Sequence, residues 1–191
     1  MKHFFLERST LSGLLALLAV LCPCLSAAAE KSATPPDKIP PGWIEVKIPA
    51  GGFKVWMPGA PKTSRGTIPT EIGNVAATRY TTVDAANVTY DVLFNDYPKT
   101  KVSKLNSQKV LEAARDGLIY QTKGKTISNK PITLASNPGN DLEILGGEGT
   151  HYRVRLVWVK TRLYQIMVVT PGKPRPEANV FFDSFQITGK P

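Results

Sequence analysis

The stretch from Thr150 to Thr170, THYRVRLVWVKTRLYQIMVVT, places the strongest constraint on how this chain folds. It is the longest run of β-branched and aromatic residues in the chain, and its side chains alternate in a way that is typical of strands. A two-residue loop at Lys160-Thr161 divides the run into the two strands of a β-hairpin, although these residues are not a preferred pair for such a turn, and a longer loop or a bulge is the alternative. With that loop, the facing pairs are Val159 with Arg162, Trp158 with Leu163, Leu156 with Gln165, Val154 with Met167, and Tyr152 with Val169.

The two faces of this hairpin differ in character. The face that carries Trp158 and Leu163 is almost wholly apolar, and the two-residue period of a strand predicts that it lies against a core. A slip of one residue would turn this face to water, so the pattern specifies its own register. The other face mixes apolar and charged side chains, and we expect it to be partly solvated. Its residues are Arg153, Arg155, Val157, Tyr164, Ile166 and Val168.

The candidate binding residues all lie in this hairpin: Arg153, Arg155, Arg162 and Tyr164. One interpretation is an anion-binding patch, because guanidinium groups suit the geometry of carboxylates and phosphates. The other interpretation is that the arginines lie along a solvated sheet face, with their apolar stems covering it. The residue types leave both interpretations open.

The first 29 residues have the pattern of a secretory signal peptide. Lys2 and Arg8 form a positively charged start, an apolar segment runs from Leu11 to Leu21, and cleavage is predicted between Ala29 and Glu30. The alternative is a retained N-terminal anchor helix. The signal predicts export to the periplasm or the extracellular space, with no transmembrane span once the signal is removed.

Composition predicts the organisation of the remaining chain. Residues 30–42 are proline-rich and predict a flexible or polyproline-like linker. Residues 43–191 have the length of a single domain, and their mixture of strand and helix patterns predicts the α+β class. Both cysteines, Cys22 and Cys24, precede the predicted cleavage point. The mature chain is therefore predicted to have no disulfide and no cysteine-ligated metal.

The chain is basic, with 24 Lys and Arg against 15 Asp and Glu and a net charge of +9. These charges are spread along the sequence without a long basic run. An exported basic domain is expected to meet an anionic surface or an acidic partner protein, unless the charge serves only solubility. Nucleic acid is not an expected partner outside the cytoplasm.

Hydrophobic periodicity predicts further strands and two helices. The predicted strands are residues 43–48, 53–57, 75–83, 87–95, 126–134 and 141–145. One helix has Asn106 or Ser107 as its cap and Gly124 as its stop, and Gly117 within it is either tolerated or needed for close packing on the sheet. The other helix covers residues 177–185 and carries a core-facing stripe of Ala178, Phe181, Phe182 and Phe185. Residues 62–73 and 137–140 are polar and rich in turn formers, which predicts connections.

Residues for catalysis are scarce. His151 is the only histidine predicted to remain in the mature chain, which is too few for a zinc site, and no serine has a nucleophile motif around it. We therefore expect no catalytic residue, no metal site and no cofactor. Asp141, Glu143 and Glu148 could supply the carboxylate pair of a glycoside hydrolase, although a solvated strand edge explains them more simply.

Four short motifs carry a resemblance to a known group of proteins. They are F-x-V-x-M-P-G-x-P at residues 53–61, the helix around residues 114–117, R-L-Y-Q-I at residues 162–166, and F-F-x-S-F at residues 181–185. In their order along residues 43–188, they resemble small exported bacterial proteins of unassigned function with a Mog1/PsbP-like α/β/α sandwich. The resemblance implies a central antiparallel sheet flanked by helices, and a binding or assembly role without an active site.

The sequence thus favours an exported, non-catalytic binding or assembly module that contacts an envelope protein or an anionic surface. The alternative is a hydrolase that acts on cell-wall or polysaccharide material through carboxylates. A structural or lipid-associated domain is a third possibility.

Overall fold

The computed structural model of this protein describes residues 38–70, 72–102 and 106–189. Their strands form two antiparallel sheets. The strands are β1 (Ile44–Ile48), β2 (Phe53–Met57), β3 (Lys62–Thr70), β4 (Gly73–Val83), β5 (Thr89–Asp96), β6 (Lys125–Leu134), β7 (Asn137–Leu145), β8 (Thr150–Val159), β9 (Arg162–Pro171) and β10 (Gln186–Ile187). The predicted signal peptide, its Ala29–Glu30 cleavage point and most of the linker lie outside the described residues.

Three α-helices are found in the described part of the chain: α1 (Lys99–Val102), α2 (Ser107–Thr122) and α3 (Glu177–Ser184). The side chain of Asn106 caps α2 by accepting a hydrogen bond from the backbone N–H of Gln108, as predicted. The helix ends at Thr122, and the next residue, Lys123, adopts a left-handed conformation with φ of 48°. Gly124 follows because a side chain there would clash with Ile144 of β7.

The larger sheet has seven strands in the order β3-β4-β5-β9-β8-β7-β6, so the β8–β9 hairpin lies near its middle. The pairing predicted for this hairpin is confirmed at every position, from Val159 opposite Arg162 to Tyr152 opposite Val169. Lys160 has a φ of 53°, which is the left-handed conformation that a tight two-residue turn requires. The hydrophobic pattern and the short loop together specify this register.

Both faces of the larger sheet are covered. The apolar hairpin face packs with α2 in a core that includes Val154, Leu156, Trp158 and Leu163. The opposite face packs against the smaller sheet, in the order β1-β2-β10, and against α3. The expectation that this second face is partly solvated is wrong, because Phe53, Val55, Phe181 and other buried apolar residues lie over it.

The expected fold class, an α+β fold with a central sheet flanked by helices, is also wrong. Strands hold 53% of the described residues and helices hold 21%, so the fold is mostly β with two antiparallel sheets. One face of the larger sheet is covered mainly by a second sheet, with α3 beside it, and not by a layer of helices. The three helices are too few and too short to form flanking layers.

Two segments predicted as connections are strands, which explains part of this difference. Residues 62–70 form the outer strand β3, in which almost every residue is exposed. Residues 137–140 begin β7, because the actual turn is at Ala135 and Ser136, whose φ values are 48° and 61°. A polar edge strand lacks the apolar alternation by which a strand is recognised in a sequence. It forms a strand because it pairs with its neighbour.

Candidate functional site

An open groove lies between α2 and the part of the larger sheet that α2 leaves uncovered. Helix α2 packs on β7 and β8, so the outer face of β4, β5 and β9 forms the floor of a groove of about 750 Å³. Its lining residues from the sheet are Ile68, Pro69, Thr70, Arg79, Asp91, Leu93, Asn95, Tyr152, Leu163, Gln165 and Met167. Tyr97 and one side of α2 complete the wall. A cleft of this size matches the usual range of small-molecule sites.

The floor is polar because of the way β5 alternates. Tyr90, Val92 and Phe94 point into the core under the smaller sheet, so Asp91 and Asn95 point to the opposite face. The register places Asp91 between Thr81 and Met167, Leu93 between Arg79 and Gln165, and Asn95 between Ala77 and Leu163. These three rows bring charged and amide side chains together across neighbouring strands.

Asp91 is a buried carboxylate with two partners. The hydroxyl of Thr81 donates to its Oδ1 at 2.7 Å, and Nε of Arg79 lies 3.4 Å from its Oδ2. The Asp91 side chain is 3% exposed, whereas that of Arg79 is 47% exposed. Burial raises the pKa of Asp91 above its ordinary value, while the Thr81 hydroxyl and the Arg79 charge act in the opposite direction. A buried carboxyl with a raised pKa beside a cleft is a feature of functional sites.

Asn95 adds an unused hydrogen-bond donor to the floor. Gln165 Nε2 donates to its Oδ1 at 3.2 Å. Its Nδ2 is buried and has no hydrogen-bond partner among the described residues. A buried amide without a partner costs about 1–3 kcal/mol, so a ligand oxygen at this position would recover part of that cost.

Small residues of α2 keep the groove open. Ala113, Ala114 and Gly117 line it on the helix side. A Cβ atom added at Gly117 would have no atom within 4 Å. The interpretation that Gly117 allows close packing on the sheet is therefore wrong, because the glycine faces open space.

The four predicted binding residues are held by contacts within the fold. Arg155 is 1% exposed, and its Nη1 donates to the carbonyl of Phe182 at 2.9 Å. Its Nη2 lies 3.3 Å from Asp141 Oδ2. Arg153 donates to Asn179 Oδ1 at 2.6 Å. Both guanidinium groups lie over the ring of Phe182, with Cζ 4.7 and 5.2 Å from its centroid.

Arg162 and Tyr164 lie at the other end of β9 and meet at Gly51, in the turn between β1 and β2. Arg162 Nη1 and the Tyr164 hydroxyl both donate to the Gly51 carbonyl, at 2.6 and 2.7 Å. Arg153 and Arg155 are thus close to α3, whereas Arg162 and Tyr164 are close to the smaller sheet. Anion binding by these four residues stays a prediction, and their internal partners explain why they occur in this hairpin.

The remaining candidates lie away from the groove. Glu143 and His151 line a cavity of about 60 Å³ beside Arg153, and Asp141 pairs with Arg155. Glu148 lies in a 3-10 turn at Gly147–Gly149. In the described ranges, no three His, Cys, Asp or Glu side chains are grouped closely enough to hold a metal ion.

Sequence reasoning misses the groove residues Arg79, Asp91 and Asn95. A signal for them exists in β5, where Asp91 and Asn95 alternate with buried apolar residues. Polar residues in such positions usually mark a solvated face. Their burial follows from the neighbouring strands β4 and β9 and from α2, which a reading of one strand does not include.

This arrangement of sheets and helices is similar to the fold of a PsbP protein. CyanoP, the cyanobacterial PsbP from Synechocystis sp. PCC 6803, matches with a TM-score of 0.51 and 12% sequence identity, over 76% of this chain and 92% of CyanoP. The PsbP-like part of the resemblance is therefore confirmed at the level of the fold, and at this identity the likeness shows the fold alone.

A protein of unknown function from Pseudomonas aeruginosa matches with a TM-score of 0.35 and 9% identity, over 67% of this chain and 82% of that protein. A TM-score this low does not show a shared fold. No family model and no curated protein matches the chain.

Proposed function

We propose that this protein is an exported, non-catalytic binding or assembly module, and that its binding site is the groove between α2 and strands β4, β5 and β9. The observation that carries the proposal is the ion pair of buried Asp91 with half-exposed Arg79 on the floor of an open cavity of about 750 Å³. A fold gains no obvious stability from a charged pair at the base of a cleft, because burying the carboxylate is costly. A site that recognises a polar group explains this arrangement.

The geometry of the floor also supports binding over hydrolysis. Glycoside hydrolysis uses two carboxyl groups about 5–9.5 Å apart. Among the described residues that line the groove, Asp91 has the one carboxyl group. Asp141, Glu143 and Glu148 do not line it. The groove as described therefore gives no support to the hydrolase alternative, which stays a prediction.

The place of action in this proposal is the periplasm or the extracellular space, and it rests on the signal pattern of residues 1–29. No helix in the described part of the chain is long and apolar enough to cross a membrane. The proposed partner is an envelope protein or an anionic surface component, which the net charge of +9 favours.

Within this proposal the groove takes precedence over the hairpin arginines as the contact site. Arg155 and Arg162 are 1% and 8% exposed, and each has hydrogen bonds within the fold. A buried guanidinium with internal partners would have to give up those bonds to contact a ligand. Arg79 keeps about half of its side chain exposed and needs no such rearrangement.

The proposal is tested by capture of bound material from envelope extracts with the tagged mature chain, followed by mass spectrometry. Three forms are compared: the unmodified chain, Gly117→Phe, which fills the groove, and Gly117→Ala, which fits the open space. We expect the same captured molecules with the unmodified chain and Gly117→Ala, and their loss with Gly117→Phe. Equal capture by all three forms would show that the groove is not the binding site.

A further inference from the structure

We infer that the groove takes an amphipathic organic anion, with its carboxylate or sulfonate group at Arg79 and its apolar body along the floor and the α2 wall. This inference rests on the proposed function and names the ligand class of the same site. It depends on the exposure and anchoring of Arg79, the donors beside it, and the apolar residues that surround them.

Arg79 is positioned to bind an anion. Its Nε lies 3.4 Å from the buried carboxylate of Asp91, and this ion pair attracts the guanidinium toward the floor. Its two terminal nitrogens have no hydrogen-bond partner among residues 38–70, 72–102 and 106–189, and 47% of the side chain is exposed. An anchored guanidinium with free terminal nitrogens presents a planar pair of donors, which matches a carboxylate.

Asp91 does not cancel this attraction. It is buried at the base of the groove, where the Thr81 hydroxyl donates to its Oδ1 and the Arg79 charge lies beside its Oδ2. The guanidinium lies on the solvent side of the pair, so an incoming anion meets the cation first. The carboxylate acts as a support that orients Arg79, in the same way that an outer partner orients a ligand-binding group.

A second donor lies one diagonal position from Arg79. Arg79 is opposite Leu93, and Asn95 is two residues further along β5, so both side chains project from the same face. Diagonal neighbours of this kind are about 7–8 Å apart, which is within reach of long side chains. Asn95 Nδ2 is the buried donor without a partner among the described residues, and it favours an oxygen-bearing headgroup.

The rest of the groove suits an apolar body. Leu93, Leu163 and Met167 form the floor beyond the polar residues, and Leu118 with Ala114 forms the helix wall. Helix α2 limits the groove on one side and the end of β3, Ile68 to Thr70, limits it on the other. Burial of the ligand body stabilises the complex by about 25 cal/mol for each Å² of apolar surface removed from water.

The experiment uses two fluorescent dyes of similar shape that differ in charge. 1-Anilinonaphthalene-8-sulfonate is an anion, and N-phenyl-1-naphthylamine is its uncharged counterpart. We expect the full chain to bind the anionic dye at one saturable site from which dodecanoate displaces it. Arg79→Gln should weaken anionic dye binding at least tenfold and change binding of the neutral dye less than twofold.

Arg65→Gln is the matched control for charge. Arg65 lies on exposed β3 and is not among the residues that line the groove, so its loss changes the net charge equally without touching the site. We expect it to leave binding of both dyes within twofold of the unmodified chain. An equal loss with Arg65→Gln and Arg79→Gln would show non-specific attraction and overturn the inference.

Steric variants separate the ligand class from the groove itself. Gly117→Phe should abolish binding of both dyes, because its ring fills the groove. Ala113→Trp, at an exposed position of the groove wall, is the second blocking variant if Gly117→Phe does not fold. If a blocking variant abolishes binding of both dyes but Arg79→Gln weakens the binding of both equally, the inference of an anionic ligand is overturned. The groove then remains a binding site. If blocking removes neither dye, the inference is overturned, and the capture experiment decides separately on the proposed function.

Discussion

Arg162 donates two parallel hydrogen bonds to the Asp96 carboxylate, with Nε 2.6 Å from Oδ1 and Nη2 2.9 Å from Oδ2. Its remaining terminal nitrogen donates to the carbonyl of Gly51 at 2.6 Å. One guanidinium thus connects β9 to its neighbour β5 and to the turn of the smaller sheet. The guanidinium also lies over the ring of Phe94, with Cζ 4.2 Å from the centroid.

Replacement of Arg162 by lysine should therefore destabilise the fold although the charge is kept. An ammonium group cannot make the paired contact with Asp96 and reach Gly51 at the same time. We expect the free energy of unfolding to fall by about 2 kcal/mol, because the paired hydrogen bonds to the Asp96 carboxylate are lost and the Gly51 carbonyl keeps only the Tyr164 hydroxyl as a donor. Urea unfolding followed by tryptophan fluorescence measures this loss.

The control for this change is Lys160→Arg, the reverse exchange at an exposed position of the same hairpin. It should alter the free energy of unfolding by less than about 0.5 kcal/mol. A loss of stability with Lys160→Arg as large as that of Arg162→Lys would contradict the assigned role of the Arg162 contacts.

Arg155 and Arg153 should respond very differently to truncation. Arg155 is 1% exposed and supports the Phe182 carbonyl and Asp141, so Arg155→Ala should cost about 3 kcal/mol of unfolding free energy. The Arg153 side chain is 24% exposed, and Arg153→Ala should cost less than about 1 kcal/mol. Thermal unfolding by circular dichroism gives both values.

This difference matters for testing the predicted arginine patch. A substitution at Arg155 also destabilises the fold. A loss of affinity for an acidic partner would therefore not show that Arg155 contacts that partner. Arg153→Glu, at the more exposed position, tests the patch with the fold largely preserved. If Arg153→Glu leaves the affinity for an acidic partner unchanged at both low and high salt, Arg153 is not part of the binding site.

Asp91 should make the protein less stable as the pH rises out of the acidic range. Burial raises the pKa of its carboxyl in the folded state, so the unfolded chain, with a value of about 3.9, releases the proton first. Between these two pKa values, ionisation favours the unfolded state by up to about 1.4 kcal/mol for each pH unit. Below the unfolded pKa the penalty is absent, and above the folded pKa it is constant.

The measurement compares urea unfolding of the unmodified chain and of Asp91→Asn between pH 3 and pH 7. Other carboxyl groups titrate in both proteins, so the difference between the two free energies isolates Asp91. We expect the unmodified chain to lose stability relative to Asp91→Asn as the pH rises, and then to reach a plateau. A relative gain in stability with rising pH would mean that Arg79 and Thr81 outweigh the effect of burial.

Gly117→Ala should stabilise the protein. The glycine lies within α2, and a Cβ atom there has no atom within 4 Å. Alanine should raise the free energy of unfolding by about 1 kcal/mol, because it has the higher helix propensity and restricts the unfolded chain. A fall in the melting temperature would show that the methyl group meets an obstacle in the groove.

The sequence predicts best where apolar residues alternate or recur at helical spacing. The stripe of Ala178, Phe181, Phe182 and Phe185 is buried as expected. These positions are set by local periodicity, which a single sequence contains.

The sequence predicts poorly where a neighbouring element defines the structure. Strand β3 is polar and exposed, and only its pairing with β4 makes it a strand. The groove residues Asp91 and Asn95 resemble solvated strand positions until β4, β9 and α2 are placed around them. The expected fold class is therefore wrong, and the groove residues are missed, at positions where long-range contacts decide the structure.

The two outer strands of the larger sheet, β3 and β6, both contain a proline and basic residues. Pro69 interrupts β3 and Pro131 interrupts β6, and each strand also carries basic residues. A proline has no amide hydrogen to offer a further strand, and like charges repel a second copy of the same edge. A sheet of seven strands thereby gains protection against edge-to-edge growth from molecule to molecule, which exposed outer strands would otherwise allow.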